Sequence, residues 1–190
     1  MRVGIITVPE RERVLATTLK SLRETSGLEA TVFVDFDKRG HSYNFTRMLS
    51  FMCRVDDDVL MGMDDVIYQA GWYEKVREIL EKTDYDVIAL FTNKNATKVD
   101  DFGVFKATSR FSIYDQATIY RKGVLCARFL AEFKAFASSP YRIRKERDHY
   151  DNMMSSFLCY KGIERGILRP NQIKLQNVPS TLGHNIVVKD

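Results

Sequence analysis

The chain has 190 residues, of which 45% are hydrophobic and 28% are charged, and its formal net charge is +4. This composition is that of an ordinary globular domain, and it excludes a disordered or low-complexity chain. No apolar run approaches the roughly 18 residues of a membrane-spanning helix, and the apolar start is too short for a secretory signal, so we expect a cytoplasmic, single-domain protein.

The first hundred residues alternate between strand and helix patterns. Residues 2–8, RVGIITV, form a short β-rich run, and apolar side chains between residues 14 and 22 repeat at helical spacing. Further strands are predicted at 30–36, 59–63 and 86–91, and further helices at 44–53 and 71–82. Strands that alternate with helices indicate βαβ units, and therefore an α/β fold with a mostly parallel sheet flanked by helices.

The pattern changes after residue 100. The segments FGVFKA (102–107) and DQATIYR (115–121) alternate polar and apolar residues, which predicts a small antiparallel hairpin in the C-terminal half. Helices are predicted near 122–137 and 149–161, and a last strand at 173–178.

An acidic run, DDDVLMGMDD, covers residues 56–65. If 59–63 is a strand, a rise of ~3.3 Å per residue places its two ends roughly 15 Å apart. Ligands of open α/β sheets bind beyond the carboxyl ends of the parallel strands. Asp64 and Asp65 leave the strand at that edge, whereas residues 56–58 enter it at the other edge, where we expect a solvated loop.

Paired carboxylates at a ligand edge can hold a hard divalent cation and bridge it to a diphosphate. The alternative for Asp64 and Asp65 is a solvated strand end or a helix N-cap. Polar residues also follow the first two predicted strands, at 9–13 and at 35–39. An edge with polar groups at three successive strand ends is suited to a nucleotide.

Four segments together resemble the GT-A class of nucleotide-sugar glycosyltransferases. In chain order they are similar to the first strand with its nucleotide loop (GIITVPERERVLATTLKSL), the metal segment (LMGMDDVIYQAGWYEKVREIL), the acceptor-side strand (YDQATIYRKGVL) and an acidic helix start (RDHYDNMMSSFLCYKGI). The second is the most specific. The resemblance implies a GT-A, Rossmann-like fold in one domain over 1–190, with the nucleotide bound by residues 1–100 and the acceptor by 101–190.

The resemblance also implies site residues and a cofactor. The donor-nucleotide residues would be Thr7, Pro9, Arg11, Asp35 and Asp64, the last at the ribose or the metal. Asp65 would bind the metal, which is Mn²⁺ or Mg²⁺. The acidic motif of the family usually begins with another carboxylate, and Met63 stands there instead.

The segment IKLQNVPSTLGHN resembles a family segment whose histidine completes the metal shell or contacts the diphosphate. Asn177 occupies the usual histidine position, so His184 is the candidate ligand. A neutral imidazole is a suitable ligand for manganese. The alternative is an exposed histidine in the tail.

Sugar transfer to a hydroxyl needs a base near the acceptor and positive charge near the departing diphosphate. The acidic helix start of the family falls on Asp148, our first candidate base, and on Asp151, our second. Aspartate is also a favoured residue at helix starts in general. An enzyme that retains the anomeric configuration has no need of such a base, and the stereochemistry stays open. The sequence has no phosphate loop and no nucleophile-elbow pattern.

A basic run, Tyr141–Arg147, comes directly before the candidate base Asp148 in the sequence. The acceptor residues that we predict are Gln116, Tyr141, Arg142, Arg144 and Lys145. Clustered basic side chains can track a phosphate backbone, and an aromatic ring can stack on a base. A hydroxymethylated pyrimidine in viral DNA, modified inside an infected cell, would fit. The alternatives are a solvated basic loop and an anionic lipid-linked or carbohydrate acceptor.

Two further functions stay open. A sugar-phosphate nucleotidyltransferase has a similar nucleotide-binding sheet, but it usually carries a glycine-rich loop after the first strand, which is absent from residues 7–11. The other is a nucleic-acid-binding module that has the same fold but no catalytic activity. Met63, in place of a carboxylate of the metal motif, is consistent with this alternative.

Overall fold

The structure, a computed structural model, describes residues 1–92, 99–107, 116–139 and 150–178, without the side chains of residues 150–152. In chain order the elements are β1 (Arg2–Thr7), α1 (Glu12–Ser26), β2 (Ala30–Val34), α2 (His41–Met52), β3 (Val59–Met63), β4 (Val66–Tyr68), α3 (Trp72–Lys82), β5 (Val87–Ala89), β6 (Val104–Lys106), β7 (Ala117–Tyr120), α4 (Ala127–Ala137), α5 (Tyr150–Tyr160), β8 (Arg165–Leu168) and β9 (Ile173–Leu175).

A seven-stranded sheet forms the centre of the molecule, in the order β2-β1-β3-β7-β5-β8-β6. Strand β1 pairs in parallel with β2 and β3, and β5 pairs in parallel with β8. Strand β7 is antiparallel to β3 and β5, and β6 is antiparallel to β8. Most strands of the sheet therefore run in one direction, which confirms the predicted α/β class with a mostly parallel sheet.

Helices cover both faces of this sheet. On one face, side chains from α2, α4 and α5 pack against alternate residues of the strands, among them Ile6 and Met61. On the other face, α1 and α3 pack against the intervening residues, among them Ile5 and Leu60. Because neighbouring strand residues point to opposite faces, strands buried on both sides read as continuous apolar runs, as the sequence does here.

Two glycines have defined structural roles. Gly27 ends α1 in the left-handed region, with φ of 69°, and its N–H donates to the carbonyl of Arg23 at 2.9 Å. This is the helix end expected for glycine. In β3, a Cβ at Gly62 would lie 3.0 Å from the carbonyl oxygen of Gln116 and 3.3 Å from the hydroxyl of Tyr68. Glycine at position 62 therefore permits close packing next to Asp64 and Asp65.

The predicted hairpin is wrong. Strands β6 and β7 fall within the two predicted segments, but they do not pair with each other, because β6 lies at the sheet edge next to β8 and β7 lies between β3 and β5. All four residues of β7 are buried. The small antiparallel pair that does exist joins β4 to β9. Strands β4 and β8, of three and four residues, were not predicted.

The sheet takes strands from both the first and the second half of the chain. A division into a nucleotide half and an acceptor half stays a prediction. Within the described ranges, no helix combines the length and the apolar character needed to cross a membrane.

Candidate functional site

The carboxyl ends of β1, β2 and β3 lie side by side at one edge of the sheet, because these three strands are parallel neighbours. Thr7 ends β1, Asp35 follows β2, and Asp64 and Asp65 follow β3. The N–H of Asp35 donates to the carbonyl of Thr7 at 3.0 Å. The strand ends that we predicted to form a ligand edge are therefore adjacent in the fold.

Asp64 is buried at this edge, with 2% of its surface exposed. The hydroxyl of Thr7 donates to Oδ2 of Asp64 at 2.5 Å. The pKa of Asp64 is raised to about 6, chiefly by burial and also by the charge of Asp65, while the Thr7 hydrogen bond and the Arg11 charge oppose the rise. Carboxylates are seldom buried unless they are paired. The charged form of Asp64 is therefore stabilised by Thr7 and Arg11.

Arg11 links the ends of β1 and β3. It ends a 3-10 turn, Pro9–Arg11, in which exposed Pro9 supplies a fixed backbone angle. Its Nη1 lies 3.3 Å from Oδ1 of Asp64, and its Nη2 lies 3.1 Å from Oδ2 of Asp65. The structure thus brings together three residues that the sequence assigned to the donor and the metal, and it places a guanidinium between the two carboxylates.

The turn that carries the two aspartates is held by residues that sequence reasoning missed. The hydroxyl of Thr18, on α1, lies 2.5 Å from the carbonyl of Asp64 and 2.7 Å from that of Val66. The backbone N–H of Gln176 donates to the carbonyl of Asp65 at 2.7 Å, and its side-chain amide donates to the Thr18 hydroxyl at 3.0 Å. A buried threonine on the apolar face of a predicted helix was the only signal in the sequence.

Asp35 has its own partners inside the protein. It is buried, Oδ1 accepts the backbone N–H of Arg39 at 3.0 Å, and Oδ2 accepts that of Gly40 at 2.7 Å. These bonds close the loop that leads into α2. A nucleoside contact by Asp35 stays a prediction, and the carboxylate is already engaged by the backbone.

Asn44 is a second residue that the sequence did not single out. Its Nδ2 donates to the carbonyls of Thr7 and Phe33, at 3.1 and 2.6 Å. It thereby ties α2 to the carboxyl ends of β1 and β2. A polar residue within the apolar face of this helix could have been recognised, but its partners are distant in sequence.

Gln116 reaches the same edge from the opposite direction. Because β7 is antiparallel to β3, the residue before β7 lies beside the end of β3, and the carbonyl of Gln116 accepts the N–H of Met63 at 3.1 Å. Its side-chain Oε1 is buried without a hydrogen-bond partner among the described residues. The predicted acceptor residue is therefore next to the aspartates, although its role stays a prediction.

The other predicted site residues cannot be placed. Asp148, Tyr141, Arg142, Arg144, Lys145 and His184 lie outside the described residues. Asp151 falls in the first turn of α5, where the backbone is described but its side chain is not. Their roles as base, acceptor contacts and metal ligand stay predictions.

The implied divalent metal does not fit the described residues as they stand. Asp64 gives one oxygen to Thr7 and the other to Arg11, and Asp65 gives one oxygen to Arg11. Oδ1 of Asp65 is left, buried and without a hydrogen-bond partner in the described part of the chain. In those same ranges, no cluster of three or more His, Cys, Asp or Glu side chains could hold a metal ion.

The entry cluster, Asp56, Asp57 and Asp58, lies before β3, at the amino end of this strand. It is not simply solvated. Asp56 pairs with the ammonium of Lys122 at 3.0 Å, Asp57 pairs with the amino group of Met1 at 2.8 Å, and Asp58 accepts the N–H of Lys122 at 2.8 Å. These contacts join β3 to the start of β1 and to the loop after β7.

Neutralising the entry cluster is expected to leave any transferase activity intact. Replacing all three aspartates with asparagine removes the exposed ion pair of Asp56 with Lys122 and the half-buried pair of Asp57 with the amino group of Met1. Pairs near the surface usually contribute little, so we expect the melting temperature to fall by only a few degrees. Circular dichroism melting and a donor-turnover assay on the same preparation would check this. A large loss of turnover in a folded triple variant would contradict the division of the acidic run.

The fold and this edge define the class to which the chain belongs, an α/β protein with a polar site at the carboxyl ends of its parallel strands. Comparison of the sequence with protein-family models and with curated proteins finds no match. A solved structure, A197 from STIV, is 15% identical over 100% of this chain and 99% of that chain, with a TM-score of 0.50. This likeness shows a shared fold.

Two more solved structures are similar at lower scores. The inositol-1-phosphate CTP transferase from T. maritima is 10% identical over 97% of this chain and 73% of that chain, with a TM-score of 0.43. The galactosyltransferase LgtC, in complex with donor and acceptor sugar analogs, is 8% identical over 98% of this chain and 90% of that chain, with a TM-score of 0.44.

Proposed function

We propose that the protein is a glycosyltransferase of the GT-A class, which moves a sugar from a nucleoside-diphosphate sugar to a hydroxyl acceptor. The observation that carries the proposal is the meeting of Thr7, Arg11, Asp64, Asp65 and Gln116 at the carboxyl ends of β1 and β3. Ligands of α/β sheets bind at such an edge. The sequence resemblance to the GT-A class assigns Thr7, Arg11 and Asp64 to the donor, Asp65 to the metal, and the segment that contains Gln116 to the acceptor side.

The proposed transfer needs a base and a cation. The acceptor hydroxyl oxygen attacks the anomeric carbon of the sugar, the bond from that carbon to the diphosphate oxygen breaks, and the hydroxyl proton passes to a carboxylate. Asp148 is the first candidate for this base and Asp151 the second. The departing diphosphate carries negative charge, which a positioned guanidinium can stabilise, and the guanidinium of Arg11 lies 3.3 Å from Asp64 and 3.1 Å from Asp65.

The donor is expected to stabilise the folded protein. A ligand at 100 times its Kd stabilises the native state by about 2.7 kcal/mol, so a panel of nucleotide sugars should contain at least one that raises the melting temperature clearly. The same samples, incubated with an acceptor, should release a nucleoside diphosphate, which a coupled enzyme assay or chromatography detects. A panel without stabilisation and without release would contradict the proposal.

The product separates this proposal from a nucleotidyltransferase. Such an enzyme would release pyrophosphate from a nucleoside triphosphate and a sugar phosphate. The loop after β1 favours the glycosyltransferase, because it is a proline-led 3-10 turn without the glycines that a phosphate-wrapping loop uses. A binding module without activity would give nucleic-acid affinity without either product.

For the acceptor, we propose a polynucleotide with hydroxymethylated pyrimidines. The support is the basic run at Tyr141–Arg147, which lies outside the described residues, and its closeness in sequence to Asp148. Binding through phosphates weakens steeply as salt increases. Transfer to hydroxymethylated DNA, lost at high salt, would support the proposal, and transfer restricted to glycans with no salt-sensitive DNA binding would contradict it.

A further inference from the structure

The guanidinium of Arg11 occupies the position between the two carboxylates at the end of β3. It lies 3.3 Å from Asp64 and 3.1 Å from Asp65, measured between nitrogen and oxygen. Arg11 is also buried, with 9% of its surface exposed. A cationic side chain is rarely buried to this extent unless it is paired, so the two aspartates and the arginine form one unit.

This unit offers few free oxygen ligands to a metal ion. Mg²⁺ and Mn²⁺ prefer about six ligands, mostly oxygens. Three of the four carboxylate oxygens already contact Thr7 or Arg11, and Met63 offers no oxygen from its side chain where another carboxylate would add one. A metal ion at this position would also lie against the positive charge of Arg11, and like charges at such a distance repel strongly in a buried site.

The guanidinium of Arg11 has ion-pair contacts with both aspartates, but not all of its N–H groups have hydrogen-bond partners among the described residues. Its Nε and Nη2 have no hydrogen-bond partner in the described residues, although Nη2 lies near Asp65. Buried donors without partners carry an energetic cost. An anion with several oxygens would supply partners to such donors, and arginine binds phosphate groups through two parallel N–H bonds.

We propose that Arg11 is the resident cation of this site and takes the place of the divalent metal, so that a nucleoside diphosphate binds to the protein without a metal ion. The role of Asp64 and Asp65 is then to position the guanidinium. The inference rests on the proposed function for the nature of the ligand. The position of the cation can be tested without that ligand.

The first measurement follows free Mn²⁺ by electron paramagnetic resonance, with the full chain and no nucleotide. We expect the wild type to take up no Mn²⁺ at the aspartate pair. In Arg11→Gln the pair loses its cation, and Mn²⁺ affinity should rise on the order of tenfold or more, because two unpaired carboxylates then face each other. Adding Asp65→Asn to that variant should abolish the gain.

Two variants serve as controls. Arg13→Gln removes a neighbouring arginine whose side chain is exposed, and it should behave as the wild type does. Arg11→Lys retains the charge and should still exclude Mn²⁺. If Arg11→Gln does not fold, the comparison of the wild type with Asp65→Asn still tests the proposal. Uptake of Mn²⁺ by the wild type that disappears in Asp65→Asn would overturn the proposal, and so would a folded Arg11→Gln that takes up none.

The second measurement titrates the wild type with UDP, GDP, ADP, CDP and dTDP, in EDTA and in Mn²⁺, by calorimetry. The nucleotide that binds should do so equally well in both, and Arg11→Gln should weaken its binding in EDTA on the order of tenfold or more. Binding that needs Mn²⁺ would overturn the inference. Absence of binding under both conditions would count against the proposed function, while the Mn²⁺ measurement still decides about Arg11.

Discussion

Asp65→Asn is expected to lower the rate of sugar transfer by about 10²- to 10³-fold, the effect that is typical when one preorganised electrostatic group is removed from an active site. Asparagine has nearly the same shape as aspartate but no charge, so the interaction with Nη2 of Arg11 at 3.1 Å loses its strength. The measurement is the release of nucleoside diphosphate from the donor found in the thermal panel, with circular dichroism to verify folding.

The matched control for this variant is Asp84→Asn. Asp84 is exposed and lies between α3 and β5. Strand β5 runs in the same direction as β3, because both are antiparallel to β7, so Asp84 lies before its amino end. It should retain wild-type turnover. Full turnover in a folded Asp65→Asn variant would show that the charge of Asp65 is not needed for the reaction.

Phe157→Ala should destabilise the protein by about 3–5 kcal/mol, because it removes a large buried ring and leaves a cavity. Phe157 is 1% exposed, and its ring centroid lies 5.2 to 5.4 Å from those of Phe129, Phe133 and Phe136 on α4. A typical domain has only about 5–15 kcal/mol of stability in total. Urea denaturation followed by circular dichroism gives the difference directly.

Tyr160→Ala is the comparison for this core variant. Tyr160 lies on the same helix, but 75% of its surface is exposed, and its recorded ring contact is with Phe136 at 5.6 Å. We expect a change within about 1 kcal/mol, which is usual for an exposed position. Equal losses for the two variants would mean that the packing of α4 against α5 is not what stabilises this face of the sheet.

Much of the fold could be predicted because its signals are local. Strand β3 has the predicted bounds, and helices α1, α3 and α5 differ from the predicted ones by a few residues. Helical spacing of apolar residues and short β-rich runs depend on neighbouring positions only. Strand pairing depends on residues that are distant in the sequence. The sequence therefore predicted a hairpin of β6 and β7, whereas these strands are separated in the sheet.

Part of the site could be predicted for the same reason. The direction of β3 follows from the alternation of strands and helices, and it correctly separates Asp64 and Asp65 from the entry cluster. The partners of Asp64 could not be derived in this way. Thr18 and Gln176, which hold its turn, are 46 and 112 positions away in the chain.

The sequence by itself determined the α/β class, the mostly parallel sheet and the edge at which the polar strand ends meet, because periodicity and strand direction are properties of short segments. Only the tertiary structure decided that β7 enters the sheet between β3 and β5, which brings Gln116 to that edge. It also decided that Arg11 lies between Asp64 and Asp65. The physical reason is that a buried charge must be paired with an opposite charge, and the distance between the two groups depends on how whole helices and strands pack in the folded chain.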